Sequence, residues 1–112
     1  MNKRYCYNIT FLVRSSRRKE QMEWIARRIE FLRHAQGFSG TGASLSVVTA
    51  VPGMSDYGRE ETSMTAQFTF ATAEDARRWG DTHFVTLAGA YSRSFGSDAY
   101  AMPSIIEQWE VE

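Results

Sequence analysis

The segment SRSFGSDAYAMPSIIEQWEVE, residues 92–112, decides how this chain folds. It reads as a β-strand from about Tyr100 to Val111, yet Pro103 stands inside it. Proline has no N–H to give to a ladder, so a strand that contains it lies at a sheet edge or carries a bulge. Any arrangement of the remaining elements has to respect that position.

From Arg4 to Val13 the residues alternate, with Tyr5, Tyr7, Ile9, Phe11 and Val13 on one side and Cys6, Asn8, Thr10 and Leu12 on the other. Period two with aromatic and β-branched residues predicts a first strand. Beyond the RSSRRKE run, Met22, Ile25, Ala26, Ile29 and Leu32 recur at spacings of three and four, one buried helical stripe. The first helix is expected from about Ser16 to about Ala35, ending before Gly37. GASLSVVTAV, residues 42–51, reads as a second strand that stops at Pro52-Gly53, and TSMTAQFTF, residues 62–70, as a third. PGMSDYGREE between them reads as a long hairpin loop.

Thr72 followed by Asp75 opens a second helix, a hydroxyl able to cap free N–H groups and an acid in the favourable first turn. Phe84, Leu87, Ala88, Tyr91 and Phe95 continue it, and Gly96 sits where a left-handed cap is wanted. Gly80 and Asp81 interrupt the pattern, which leaves two options: one kinked helix, or a short helix followed by a long one.

The order β-α-β-β-α-β is the ferredoxin-like split pattern of an α+β domain. Right-handed crossovers give a four-stranded antiparallel sheet of order 4-1-3-2 with two helices on one face. Pro103 is then tolerable because the fourth strand is an edge, and Pro52 obeys the same rule on the opposite edge. Tyr7, Ile9, Phe11, Phe68 and Phe70 are the apolar set for the helix-covered face. The other face carries Asn8, Thr10, Leu12, Thr65, Gln67, Thr69, Ser46 and Val48. A face left in water normally attracts Lys, Glu and Arg, so this uncharged centre points to a cover, most simply the same face of a second subunit. Threonine and serine also suit an exposed antiparallel sheet.

The chain has 112 residues and reads as a single domain over 1–112. Its 13 basic and 13 acidic residues cancel, which argues against nucleic acid or an anionic membrane as the main partner. One cysteine, Cys6, allows no internal disulfide and no cysteine metal cluster. MNKRYCYNITFLV lacks the apolar run of a signal peptide, and no stretch approaches the roughly 20 apolar residues of a membrane span. A cytoplasmic protein is expected.

The distal stretch QFTFATAEDARRWGDTHFVTLAGAYSRSFGSDAYAMPSIIEQWEV, with the opening YCYNITFLV and the helical MEWI, resembles a family of short bacterial proteins known only as a domain of unknown function. The resemblance implies the dimeric α+β barrel version of the ferredoxin-like fold and a homodimer, and brings no activity with it. Wider relatives of that barrel include cofactor-free monooxygenases and haem-degrading enzymes. The haem-degrading kind looks like an Asn on the first strand, a Trp on the third and a His on the second helix. This chain supplies Asn8 and His83 but has Phe68 and no tryptophan on the third strand, so no cofactor is expected.

His83 lies at the margin of the second helical stripe with Trp79 four residues earlier, an imidazole beside an aromatic wall. A ligand pocket is expected between the second helix and the sheet edge, with Trp79, His83 and Tyr91 contributing and His83 the weak candidate for catalysis. His34 and His83 lack metal-binding spacing, so no metal is expected, and no GxGxxG, GxxxxGK or GxSxG motif is present. Trp24 and Phe31, seven apart, are placed nearly opposite the first helical stripe, under a loop or tail, at a partner surface or over a pocket. Arg17, Arg18, Arg27 and Arg28 read as a solvated face balanced by Glu20, Glu23 and Glu30. Two function classes follow: a non-catalytic homodimeric module that binds a small ligand or a protein, or a cofactor-independent monooxygenase-like or other small oxidoreductase. An enclosed pocket lined by His83 or Tyr91 favours the second.

Overall fold

The computed structural model describes residues 2–48, 61–96 and 99–111. Strand β1 (Lys3–Arg14) leads through a single 3-10 turn at Ser15–Arg17 into helix α1 (Arg18–His34). Strands β2 (Gly42–Val48) and β3 (Glu61–Phe70), helix α2 (Ala73–Phe95) and strand β4 (Ala101–Trp109) complete the chain. The sheet is antiparallel in the order β2-β3-β1-β4, the expected 4-1-3-2 read from the other edge. Both helices lie on one face, and the molecule is a slab 39 × 35 × 18 Å. The fold is ferredoxin-like α+β. The expected loop over 52–61 and the edge position of Pro52 fall almost wholly outside the described residues.

Pro103 stands opposite Ile9 on the edge strand β4, where half of the backbone groups have no ladder partner to lose. The helix-covered face holds the core: Tyr7, Ile9, Phe11 and Val13 of β1 and Met64, Ala66, Phe68 and Phe70 of β3 are buried. From α1, Ile25, Ile29 and Leu32 reach it as the spacing predicts, but Ala26 is exposed and Gln21 is buried in its place. Trp24 is also displaced from its expected outer position. It is half-buried, 5.4 Å from the Tyr91 ring and 6.1 Å from that of Phe95, so it seals the contact between the helices. Phe31 does stay outside, 66% exposed.

Helix α2 runs unbroken through Gly80 and Asp81. Thr72 caps it as expected, its hydroxyl accepting the Asp75 N–H at 3.1 Å. Gly80 does not break the helix because it brings α2 close to the sheet: a Cβ there would overlap the Tyr7 ring. Trp79 lies beside it on the sheet, its ring 4.2 Å from Phe68 and 5.6 Å from Tyr7. At the other end Gly96 has φ 104° and ψ 168°, a positive φ as expected but with extended ψ in place of the left-handed helical cap, a region open only to glycine.

Alanine replacing glycine inside an open helix gains about 1 kcal/mol. At Gly80 the sign reverses, and Gly80→Ala is expected to lose about 1–3 kcal/mol by overpacking against Tyr7, read as a lower urea midpoint with unchanged m. Gly96→Val is expected to lose more than about 1 kcal/mol in the same measurement, because a β-branched residue cannot hold that φ.

Candidate functional site

Two surfaces bear on function once the core is closed. The first is the open face of the sheet, where the register lines up three rows across the strands. Gly42, Thr69, Cys6 and Ile106 form one, Ser44, Gln67, Asn8 and Ser104 the next, and Ser46, Thr65, Thr10 and Met102 the third. No side chain in these rows is charged. Asn8 is at the centre and only 6% exposed. Its amide donates to Thr10 Oγ1 at 3.3 Å and Ser104 Oγ at 3.2 Å, while Gln67 Nε2 donates to Asn8 Oδ1 at 3.3 Å. Beside it the Cys6 thiol donates to Gln108 Oε1 at 3.1 Å and lies 3.4 Å from Thr69 Oγ1. The polar groups around Asn8 and Cys6 are therefore satisfied by one another. Met102, 54% exposed, and Val48, 45% exposed, bring apolar surface to its flanks.

The second surface is a groove of about 170 Å³ between the helices, lined by Arg28, Phe31 and Leu32 of α1 and His83, Thr86, Leu87 and Ala90 of α2. Leu32 and Leu87 are buried and form its floor. The guanidinium of Arg28 lies 4.9 Å from the centre of the Trp24 ring, and among the described residues no carboxylate pairs with it. Arg17, by contrast, does pair with Glu20, at 3.2 Å.

His83 is half-buried and faces this groove, with its ring 5.0 Å from Trp79. Trp79 and Tyr91, the two other residues expected at the site, have no exposed surface. Trp79 is walled by the rings of Phe68, Phe70, Tyr7 and His83, and its indole N–H is buried without a hydrogen-bond partner among the described residues. The Tyr91 hydroxyl donates to the Leu12 carbonyl at 2.6 Å and accepts from Gln21 Nε2 at 2.9 Å. Arg28 and Thr86 were not singled out by sequence, although Arg28, Phe31 and Leu32 on one helix and His83, Thr86, Leu87 and Ala90 on the other follow the three-and-four spacing of a helix edge. Asn8 and His83 lie on opposite sides of the sheet and do not meet. No acid lines the groove among the described residues, and beside His83 stand an apolar floor, a cation and a hydroxyl. No helix among the described residues is long and apolar enough to cross a membrane.

The class these features define is a ferredoxin-like α+β domain whose open sheet face has three uncharged central rows. No family model and no curated protein matches the chain, so the family that its distal segment resembles is not shown. Among solved structures, the de novo designed protein Foldit4 is similar over 96% of this chain and 99% of its own, with a TM-score of 0.50 and 7% identity. A PII-like signaling protein from Thermus thermophilus aligns over 99% of this chain and 94% of its own, with a TM-score of 0.35 and 12% identity. The first likeness concerns the fold alone, and the second is too distant to support an argument.

Burial raises the Tyr91 phenol to about 12, against the lowering effect of its hydrogen bond from Gln21, and burial with the charge of Asp81 also raises Tyr7. A raised phenol pKa means the folded state keeps a proton that the unfolded state releases near pH 10. The stability it contributes is complete below about pH 10 and declines from there towards pH 12. Tyr91→Phe is expected to cost about 1–3 kcal/mol at neutral pH, since it takes the donor from the Leu12 carbonyl. It should also flatten the alkaline decline, leaving the part due to Tyr7, in urea titrations repeated from pH 7 upward.

Proposed function

We propose that the chain is a non-catalytic homodimeric module that joins through the open sheet face and holds a small ligand on its helix side. The observation that carries the dimer is the uncharged, internally hydrogen-bonded centre around Asn8. Desolvating a polar group costs most when its partners are water, and here the partners are neighbouring side chains that stay in place when a cover arrives. Identical faces whose central rows carry no charge also meet across a two-fold axis with no like-charge repulsion at their middle.

The area supports the same occupant. Strands of 12, 7, 10 and 9 residues, at about 3.3 Å per residue and about 4.8 Å between strands, span roughly 600 Å² of flat face before corrugation is counted. An ordinary specific interface buries about 800 Å² per partner. On the helix side, His83 is the ligand contact, and Trp79 and Tyr91 build the wall that holds α2 in position behind it.

Light scattering coupled to size exclusion tests the dimer: twice the chain mass is expected, and a monomer at high micromolar concentration overturns it. Thr10 and Thr65 face each other in the third uncharged row and are only half-buried in the single chain. Thr65→Lys is therefore expected to leave the fold intact by circular dichroism and to weaken association by about 2 kcal/mol or more, through unpaired charge in the interface.

A further inference from the structure

We infer that the groove between α1 and α2 is a site for a small monocyclic carboxylate of benzoate size, its ring on the Leu32–Leu87 floor and its carboxylate at Arg28. Volume sets the size. An enclosed apolar cavity of about 150 Å³ takes a benzene-sized ring, and the groove, about 170 Å³ and open on one side, has room for a ring of that size. Phe31 stands at its edge with two-thirds of its surface exposed, which leaves its ring free to pack against a planar guest.

Charge sets the class. Arg28 is the one charged residue of the lining, and among the described residues no carboxylate neutralises it. Its guanidinium lies 4.9 Å from the centre of the Trp24 ring, and a guanidinium held against a ring still has N–H donors to offer a carboxylate in bidentate fashion. The ring contact also restrains a long side chain that would otherwise lose rotamer freedom on binding. From the opposite helix, His83 and Thr86 can donate an N–H and an O–H, so polar groups stand on both walls of an apolar floor. This deepens the ligand half of the proposed function and is independent of the dimer half, because the groove is built from helix residues alone and the uncharged rows lie across the sheet.

The test is a titration of the full chain with sodium benzoate, followed by two-dimensional NMR of the amides and of the histidine imidazoles, with benzyl alcohol as the uncharged probe. Saturable shifts at His83, Thr86 and Ala90 are expected with benzoate, at an affinity at least about tenfold above that for benzyl alcohol. Arg28→Gln should remove that preference, whereas Arg27→Gln, one residue outside the lining, should keep it. Equal affinity for the two probes, or a preference that survives Arg28→Gln, overturns the carboxylate assignment and leaves the ligand-binding reading in place. No response at His83 to either probe overturns both. Light scattering on the same samples reports on the dimer separately.

Discussion

The Tyr91 hydroxyl ties together three elements, α1, α2 and β1, through one buried polar group. It accepts from Gln21 on α1 and donates to the Leu12 carbonyl on β1, while its ring stands edge-on to Phe11 at 5.2 Å. Leu12 lies just beyond the point where β4 begins, opposite Phe11, and its N–H bonds to the Tyr100 carbonyl. A carbonyl shielded from water without a donor costs about 1–3 kcal/mol, so this bond adds a directional constraint to the apolar packing that holds α2 over the sheet. Trp24 then closes over Tyr91 from α1, and the spacing of the two helices follows. The groove between them is a consequence of that spacing.

The opposite end of α2 is held by a different constraint. Gly80 lets the helix backbone approach Tyr7, and Trp79 fills the space beside it among Phe68, Phe70 and Tyr7. The cost is an indole N–H with no partner among the described residues, of the order of 1–3 kcal/mol. Full burial of so large a ring, together with its aromatic pairs, offsets that amount. His83, one turn further, is thereby pinned against the Trp79 ring at the mouth of the groove.

The topology was legible because it rests on patterns with a fixed period: alternation in β1 and β3, the stripes of α1 and α2, the Thr72 cap, and a proline that excludes the centre of a sheet. Features that depend on which distant residues meet were not. Gln21 stands outside the apolar stripe of α1, and nothing near it in the chain marks it for burial because its partner, Tyr91, is 70 residues away. Gln36 is buried for a similar reason: its amide donates to the carbonyls of Thr69 at 2.9 Å and Gly42 at 3.2 Å, fastening the α1–β2 connection to β3. Gly80 read as a possible break because only the Tyr7 ring above it explains a glycine there. The open face was legible in its composition, since alternation alone assigns it, but the satisfaction of Asn8 by Gln67, Thr10 and Ser104 depends on register across three strands. Arg28 is exposed, in keeping with the solvated face expected of it, and its contact with Trp24 follows from the four-residue spacing of the two on one helix.

The edge strand bears on how copies of this chain can meet. β4 is nine residues long and exposes Met102, Ile105 and Trp109, which would make it a template for strand pairing if it were featureless. It is not. Pro103 removes a donor from the middle of the edge, and Glu107 places a charge further along, where its carboxylate accepts from the Trp109 indole at 2.7 Å and from Tyr5 at 3.2 Å. Lys3 sits over the Trp109 ring at 4.6 Å and adds a cation to the same corner. A proline and charged residues are the devices that keep sheet edges from joining. With the β4 edge blocked in this way and one sheet face covered by helices, the uncharged face around Asn8 is the broad surface that such devices leave open. The residue that ordered the strands therefore also disfavours pairing through the β4 edge.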